Sequence, residues 1–313
     1  MFGSPTRARC GALVGVAVGF ATLFGMSSAS AAPRTVLQEM FTATWCVYCP
    51  PVGIVCGNIM DSYPTRFAFV QVHGSDIYAT TWGNARNAFY NVTGYPTTWM
   101  DGTLVRVGQY GDSTYVNDFR GRPLTSDTVV RLGAEHLNGQ TYRISAFVGL
   151  ESSVTTNRAM KVEILQVLDH YPVGSSHYRN CFIQATTPQT ITLTGGQSQT
   201  ITRDITFNST SWAQQNDIAI VALVQAPNAS GPATVYNAAN MDFPFHSLWT
   251  PGDMNCNGVV DNFDIDPFVM ALSSPEGYAT SFPLCNLLCA DVNGDGLVNN
   301  FDINAFVDML ADL

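Results

Sequence analysis

Apolar residues fall at strand-like and helix-like spacings in alternation from residue 35 to residue 120. Residues 35–42 and 67–73 read as strands, and residues 52–63 and 81–90 as helices, the first of them starting near Cys49. Asp101-Gly102 sits between two short apolar runs, 97–100 and 103–107, and predicts a hairpin because this pair accepts the backbone of a tight turn. A last helix is expected near residues 113–120. From residue 125 to residue 247 the pattern changes to short alternating segments (142–150, 160–168, 180–185, 200–207, 218–225 and 234–238) separated by Gly, Pro, Asn and Ser clusters. That spacing predicts an antiparallel β-sandwich. Past residue 251, two matched apolar helices are expected at 265–272 and 303–310, with Phe268/Phe306 and Val269/Val307 in register.

Chemistry enters at Trp45-Cys46-Val47-Tyr48-Cys49-Pro50, after the first strand, and at Tyr95-Pro96-Thr97, before the hairpin. Two cysteines three positions apart at a helix start can close a small disulfide, and the helix N-terminus lowers the pKa of the first thiol. Together these segments resemble the active site of the thioredoxin family. The resemblance implies that Cys46 attacks a substrate disulfide, Cys49 resolves the mixed disulfide, Pro96 follows a cis peptide facing them, and Glu39 accepts the proton of Cys49. Glu39 stands seven residues before Cys46, where the family has its acid six before. Val47 and Tyr48 replace the Gly-Pro of reducing thioredoxins, so reductant, oxidant and isomerase roles all stay open. A zinc site on Cys46, Cys49 and Cys56 lacks a fourth ligand and a second paired motif nearby. A structural disulfide on a binding scaffold is the stronger competitor.

The tail carries one loop twice. Asp253, Asn255, Asn257, Asp261 and Asp264 occupy positions 1, 3, 5, 9 and 12 of the first copy, and Asp291, Asn293, Asp295, Asn299 and Asp302 those of the second. Gly258 and Gly296 stand at position 6, where such a loop turns sharply, and the carbonyls of Val259 and Leu297 stand at position 7. All ten acidic residues after position 250 lie without a single Lys or Arg among them, so the formal net charge of −10 resides in this tail. Such a tail is expected to fold around two calcium ions. The duplicated loop-plus-helix resembles a type I dockerin, which implies a cohesin-like protein as partner. Asn262-Phe263 and Asn300-Phe301 replace the small hydroxyl pairs of that family.

Arg7 and Arg9 precede an apolar run from 11 to 26, followed by Ala29-Ser30-Ala31. This reads as a signal peptide over residues 1–31, hence an exported protein, periplasmic, cell-surface or extracellular. No later segment is long and apolar enough to span a bilayer. Seven cysteines remain after residue 31. Cys256 is expected to reach Cys285 or Cys289, and Cys56 and Cys181 are read as buried thiols. Residues 1–250 balance fourteen acids against fourteen bases, with no basic patch that points to nucleic acid. His170 and His177 flank Tyr171-Pro172 without forming a recognisable site.

The expected architecture is multidomain: an α/β thioredoxin-like domain at 33–124, an antiparallel β-sandwich at 125–247 and a small α-helical dockerin-like module at 251–313. The first two together are similar to a family of exported, outer-membrane-associated bacterial proteins. The expected function is an exported thiol-disulfide oxidoreductase acting on protein thiols or disulfides and docked through its calcium-dependent tail. The alternative is a non-catalytic surface or adhesion protein that uses the first domain as scaffold.

Overall fold

The computed structural model describes residues 32–172, 176–228 and 231–311; the expected signal peptide lies outside them. The first stretch runs β1 (Ala32–Pro33), β2 (Val36–Thr42), α1 (Cys49–Ser62), β3 (Phe67–His73), α2 (Thr81–Phe89), β4 (Thr97–Met100), β5 (Leu104–Val107) and α3 (Asp112–Arg120). Helix α1 opens at Cys49 because Pro50 and Pro51 fall in its first turn, where backbone N–H groups have no helical acceptor to lose. Helix α2 opens on the Thr80 hydroxyl, which accepts a hydrogen bond from the Gly83 amide. Asp101 and Gly102 both take positive φ in the β4–β5 turn, as the hairpin requires.

The second stretch runs β6 (Thr125–Ser126), β7 (Thr128–Asn138), β8 (Thr141–Leu150), β9 (Arg158–Leu168), β10 (Cys181–Ala185), β11 (Gln189–Leu193), β12 (Ser198–Thr206), α4 (Ser209–Trp212), β13 (Ile218–Gln225) and β14 (Val235–Asp242). Helices α5 (Ile265–Ser273), α6 (Pro275–Ser281) and α7 (Asp302–Ala311) follow. Strands from both stretches share one nine-stranded sheet, in the order β14-β13-β9-β10-β3-β2-β4-β5, with β11 also paired to β9. The junction is a parallel one: Cys181 of β10 lies opposite Gln71 of β3, and the Gln71 amide donates to the Asn180 carbonyl at 3.0 Å. A three-stranded sheet, β12-β8-β7, and the short β1–β6 pair complete the strands.

Three apolar clusters follow from this sheet. On one face, Val36, Met40, Phe67 and Phe69 pack against α1 and α3. Further along, Met160, Ile164, Ile220 and Val224 meet Ile144, Val148 and Ile201 of the three-stranded sheet. The opposite face gathers Leu37, Phe41, Val70, Val167, Val221 and Val235 around α2, joining residues far apart in sequence in one core.

That third core overturns the expected fold class. Residues 33–124 do not form a thioredoxin unit standing by itself beside a separate sandwich. β-Sheet dominates, and it runs unbroken through both regions because β3 and β10 are hydrogen-bonded neighbours. Nor is the C-terminal segment a free-standing calcium-loop module. Its core of Met254, Phe268, Tyr278, Cys289 and Phe306 abuts the three-stranded sheet, where Leu248 and Leu284 join Val129 and Phe147. Arg131 of β7 donates to the carbonyls of Leu284 and Cys256 at 2.9 Å each. Its guanidinium also lies over the Phe147 and Trp249 rings.

Candidate functional site

The C-terminal ends of β2 and β3 open on a loop closed by the Cys46–Cys49 disulfide. Cys46 and Cys49 are buried, at 7% and 1% exposure, whereas Trp45, Val47 and Tyr48 are 61%, 77% and 62% exposed. The structure thus turns the sulfurs inward and three large apolar side chains outward. Tyr95 packs against the cluster that holds both cysteines, and its ring lies 5.7 Å from that of Trp45. The Tyr95-Pro96 peptide is cis. The loop is anchored behind: the Thr44 amide donates to Asp76 at 2.8 Å, and the Trp45 indole N–H donates to the Ser75 carbonyl at 3.1 Å.

Glu39 is not part of this constellation. It lies on the α2 face of β2, while Met40, the next residue, lies on the face that carries the cysteines. Successive side chains of a strand point to opposite faces, so one position of offset removes the acid from the thiols entirely. Glu39 is instead fully buried against Arg86, with Nε–Oε1 at 2.6 Å and Nη2–Oε2 at 2.8 Å, and it accepts the Tyr90 hydroxyl at 2.6 Å. Arg86 also donates to Gln225 at 3.0 Å and stands 3.8 Å from Glu163, whose other oxygen accepts the Trp82 indole N–H. Burial raises the Glu163 carboxyl, but Arg86 and Lys161 outweigh it and hold the group below its usual range. This is a buried ion network that joins β2, α2, β9 and β13.

Behind the disulfide loop, His73 Nδ1 lies 2.7 Å from Asp76, and its Nε2 lies 3.8 Å from the Cys181 sulfur. Sequence reasoning missed this cluster because its three members come from β3, the following loop and β10. Cys181 is 1% exposed, and burial pushes its thiol well above the ordinary range, so it is a poor nucleophile. Burial acts the same way on Cys56, and it pushes Cys289 up to about 11. His170 and His177 enter no shared cluster, and burial lowers the pKa of His177.

In the tail, Gly258 and Gly296 adopt the positive φ expected of position 6. Asp264 and Asp302 are fully buried. Asp264 accepts the amides of Met254, Asn255 and Asp261, and Asp302 those of Asn293 and Asn299. Asp253 accepts the Asn257 and Gly258 amides, and Asp291 those of Asp295 and Gly296. Asn255, Asn257, Asp261, Asn293, Asp295 and Asn299 also turn side-chain oxygens back onto loop amides. Val259 and Leu297 are exposed. Among the described residues, no three His, Cys, Asp or Glu side chains converge as a metal site. In the described structure the loop carboxylates and side-chain amides accept hydrogen bonds from loop amides. Cys256 pairs with Cys285, leaving Cys289 as a buried thiol.

No family model and no curated protein matches the chain. Among solved structures, it is similar to HBP35 of Porphyromonas gingivalis, at 15% identity and a TM-score of 0.55, over 69% of this chain and 77% of that one. A second similar structure is a protein of Agrobacterium tumefaciens, 16% identical, with a TM-score of 0.45 over 67% of this chain and 95% of that one. The first likeness shows a shared fold over 69% of this chain. The resemblances to thioredoxins and to type I dockerins are therefore not upheld. No family model of either kind matches, and the shared fold extends far beyond the first hundred residues. Among the described residues, no helix is long and apolar enough to cross a membrane.

Proposed function

We propose that this chain is an exported, non-catalytic binding protein whose disulfide-closed loop presents Trp45, Val47 and Tyr48 to a polypeptide partner. The observation that carries the reading is the inversion of exposure at this loop: sulfurs inside, large apolar side chains outside. Exposed aromatics on a rigid support make contact area at low entropic cost, and Trp and Tyr dominate binding energetics where they are desolvated on contact. Rigidity comes from the disulfide and from the Thr44 and Trp45 hydrogen bonds to residues 75 and 76. The competing reading, thiol-disulfide exchange, lacks its acid, because Glu39 is held by Arg86 on the other face of β2.

The test has two arms. Reduced, carboxymethylated α-lactalbumin serves as an unfolded polypeptide probe, and binding should be lost in Trp45→Ala/Tyr48→Ala but kept in Val259→Ala. In parallel, the wild-type protein should exchange with a glutathione-linked fluorescent disulfide no faster than buffer does. Turnover that disappears in Cys46→Ser would replace the binding reading with the redox one.

A further inference from the structure

The main path of the nine-stranded sheet ends at β14 and at β5, and these two edges are treated differently. At the β14 edge, Arg34 donates to the carbonyls of Val235 and Tyr236, Val235 donates its amide to Asp101, and the Asn237 side chain ties Pro33 and Thr128. Residues 235–237 of that edge are thus covered. At the β5 edge, among the described residues, the only strand paired is β4. The ladder places Thr97 opposite Val107, Thr98 opposite Arg106 and Trp99 opposite Val105, and the Gly108 amide donates to the Pro96 carbonyl at 2.7 Å. Hydrogen-bonded and non-bonded pairs alternate along an antiparallel ladder, so Arg106 bonds inward to Thr98 while Val105 and Val107 direct their N–H and C=O groups outward. No hydrogen bond to those outward groups is made by any described residue.

The same two residues line a cleft. Val105 and Val107, 38% and 54% exposed, form its floor with Thr97 and Trp99, and Val92 and Pro232 stand at its sides, enclosing about 340 Å³. Arg106 points to the other face, where Asp118 holds it at 2.8 and 2.9 Å, so its charge is answered there. Natural edges are commonly blunted by charged side chains, Pro, a bulge or shortness. β5, Leu-Val-Arg-Val, is short but has no Pro or bulge, and its one charge, Arg106, is answered by Asp118 on the other face.

We infer that β5 is a strand-addition site for an extended, uncharged polypeptide segment with apolar side chains at alternate positions. A polypeptide is the committed occupant because only a peptide backbone supplies donors and acceptors at the repeat of Val105 and Val107. In an added antiparallel strand, the residues bonded to Val105 and Val107 lie directly opposite them and share their face. Their side chains therefore enter the cleft, and the absence of an unanswered charge there selects apolar ones. This surface is lined by residues other than those of the Trp45 loop and stands without the reading given above.

The experiment uses the full chain and a fluorescein-labelled, capped hexapeptide of alternating valine and threonine, followed by fluorescence anisotropy. Binding should saturate. N-methylation of the valines, whose amides must face β5 when their side chains fill the cleft, should weaken it at least about tenfold, because each lost backbone bond leaves a partner unpaired. N-methylation of the threonines, whose amides face away, should change it less than about threefold. Val107→Lys should also weaken it at least about tenfold while leaving the thermal transition in place. Equal loss with both methylated peptides, undiminished binding to Val107→Lys, or no saturation would each overturn the inference. So would a dimer in sedimentation that Val107→Lys dissociates while the peptide does not bind, since the occupant would then be a second copy. Peptide binding lost only in Trp45→Ala/Tyr48→Ala would assign the contact to the loop instead.

Discussion

The two faces of β2 carry opposite kinds of chemistry. On one, Glu39 is sealed with Arg86, Tyr90, Gln225 and Glu163, and its partners come from strands and helices more than a hundred residues apart. On the other, Met40 leads to a cluster that ends in the Cys46–Cys49 loop, with Trp45, Val47 and Tyr48 in solvent. One face spends its polar groups on holding two halves of a sheet together. The other frees its apolar groups for contact. A buried ion network specifies how the halves meet, whereas an exposed loop contributes little to stability and is therefore available for function.

The largest effect should come from breaking the buried face. Arg86→Ala leaves Glu39 charged and unpaired inside the sheet, and should cost about 3–5 kcal/mol in urea unfolding. Replacing both by Leu should recover most of that loss; a double variant as unstable as Arg86→Ala would show that the pair does more than neutralise itself. Next comes the tail. Asp264→Ala removes the acceptor of three backbone amides and should cost about 2–3 kcal/mol in urea unfolding of the full chain. Measured in calcium and in chelator, an equal cost assigns Asp264 to those amides alone, and a cost confined to calcium assigns it to cation binding.

The anchor between the two regimes should respond to pH. Burial raises the Asp76 carboxyl, and hydrogen bonds from His73 and the Thr44 amide outweigh it, holding it below the usual 3.8. A carboxyl lowered on folding stabilises above its unfolded value and loses that contribution as pH falls through the lowered one. Asp76→Asn should therefore be less stable than wild type by about 1 kcal/mol near neutrality, with the gap closing as the pH falls below the usual 3.8 and through the lowered value. A gap that persists in acid would show that the side chain's shape matters and not its charge. The smallest effect belongs to the exposed face: Trp45→Ala/Tyr48→Ala should shift stability by no more than about 1 kcal/mol while removing polypeptide binding.

Much of the local structure was legible. The spans of β2, α1, β3, α2 and the β4–β5 hairpin follow from apolar spacing, from Pro50-Pro51 at a helix start and from Asp101-Gly102 at a turn. Local signals of this kind act within a few residues and need no knowledge of the rest of the chain. β7, β11 and α6 were not anticipated. β11 is five residues long, with exposed threonines alternating with Ile191 and Leu193, and α6 is a seven-residue helix opened by Ser274 and Pro275. Segments as short as β11 and α6 carry few periods from which to read a pattern, whereas β7 is eleven residues long and mixes exposed and buried positions without strict alternation.

The sequence by itself determined most strand and helix spans of residues 33–124, where the disulfide loop lies and that the net negative charge resides at one end. Only the tertiary structure decided that β10 pairs with β3, that Glu39 turns away from the cysteines to meet Arg86, that Arg131 clamps the tail and that β5 is left open. The reason lies in the range of the forces. Turn chemistry and periodicity are properties of neighbouring residues, whereas a parallel strand pair or a buried ion network is settled by which distant segments can bury their faces together, and a single position of register reverses the side to which each residue points.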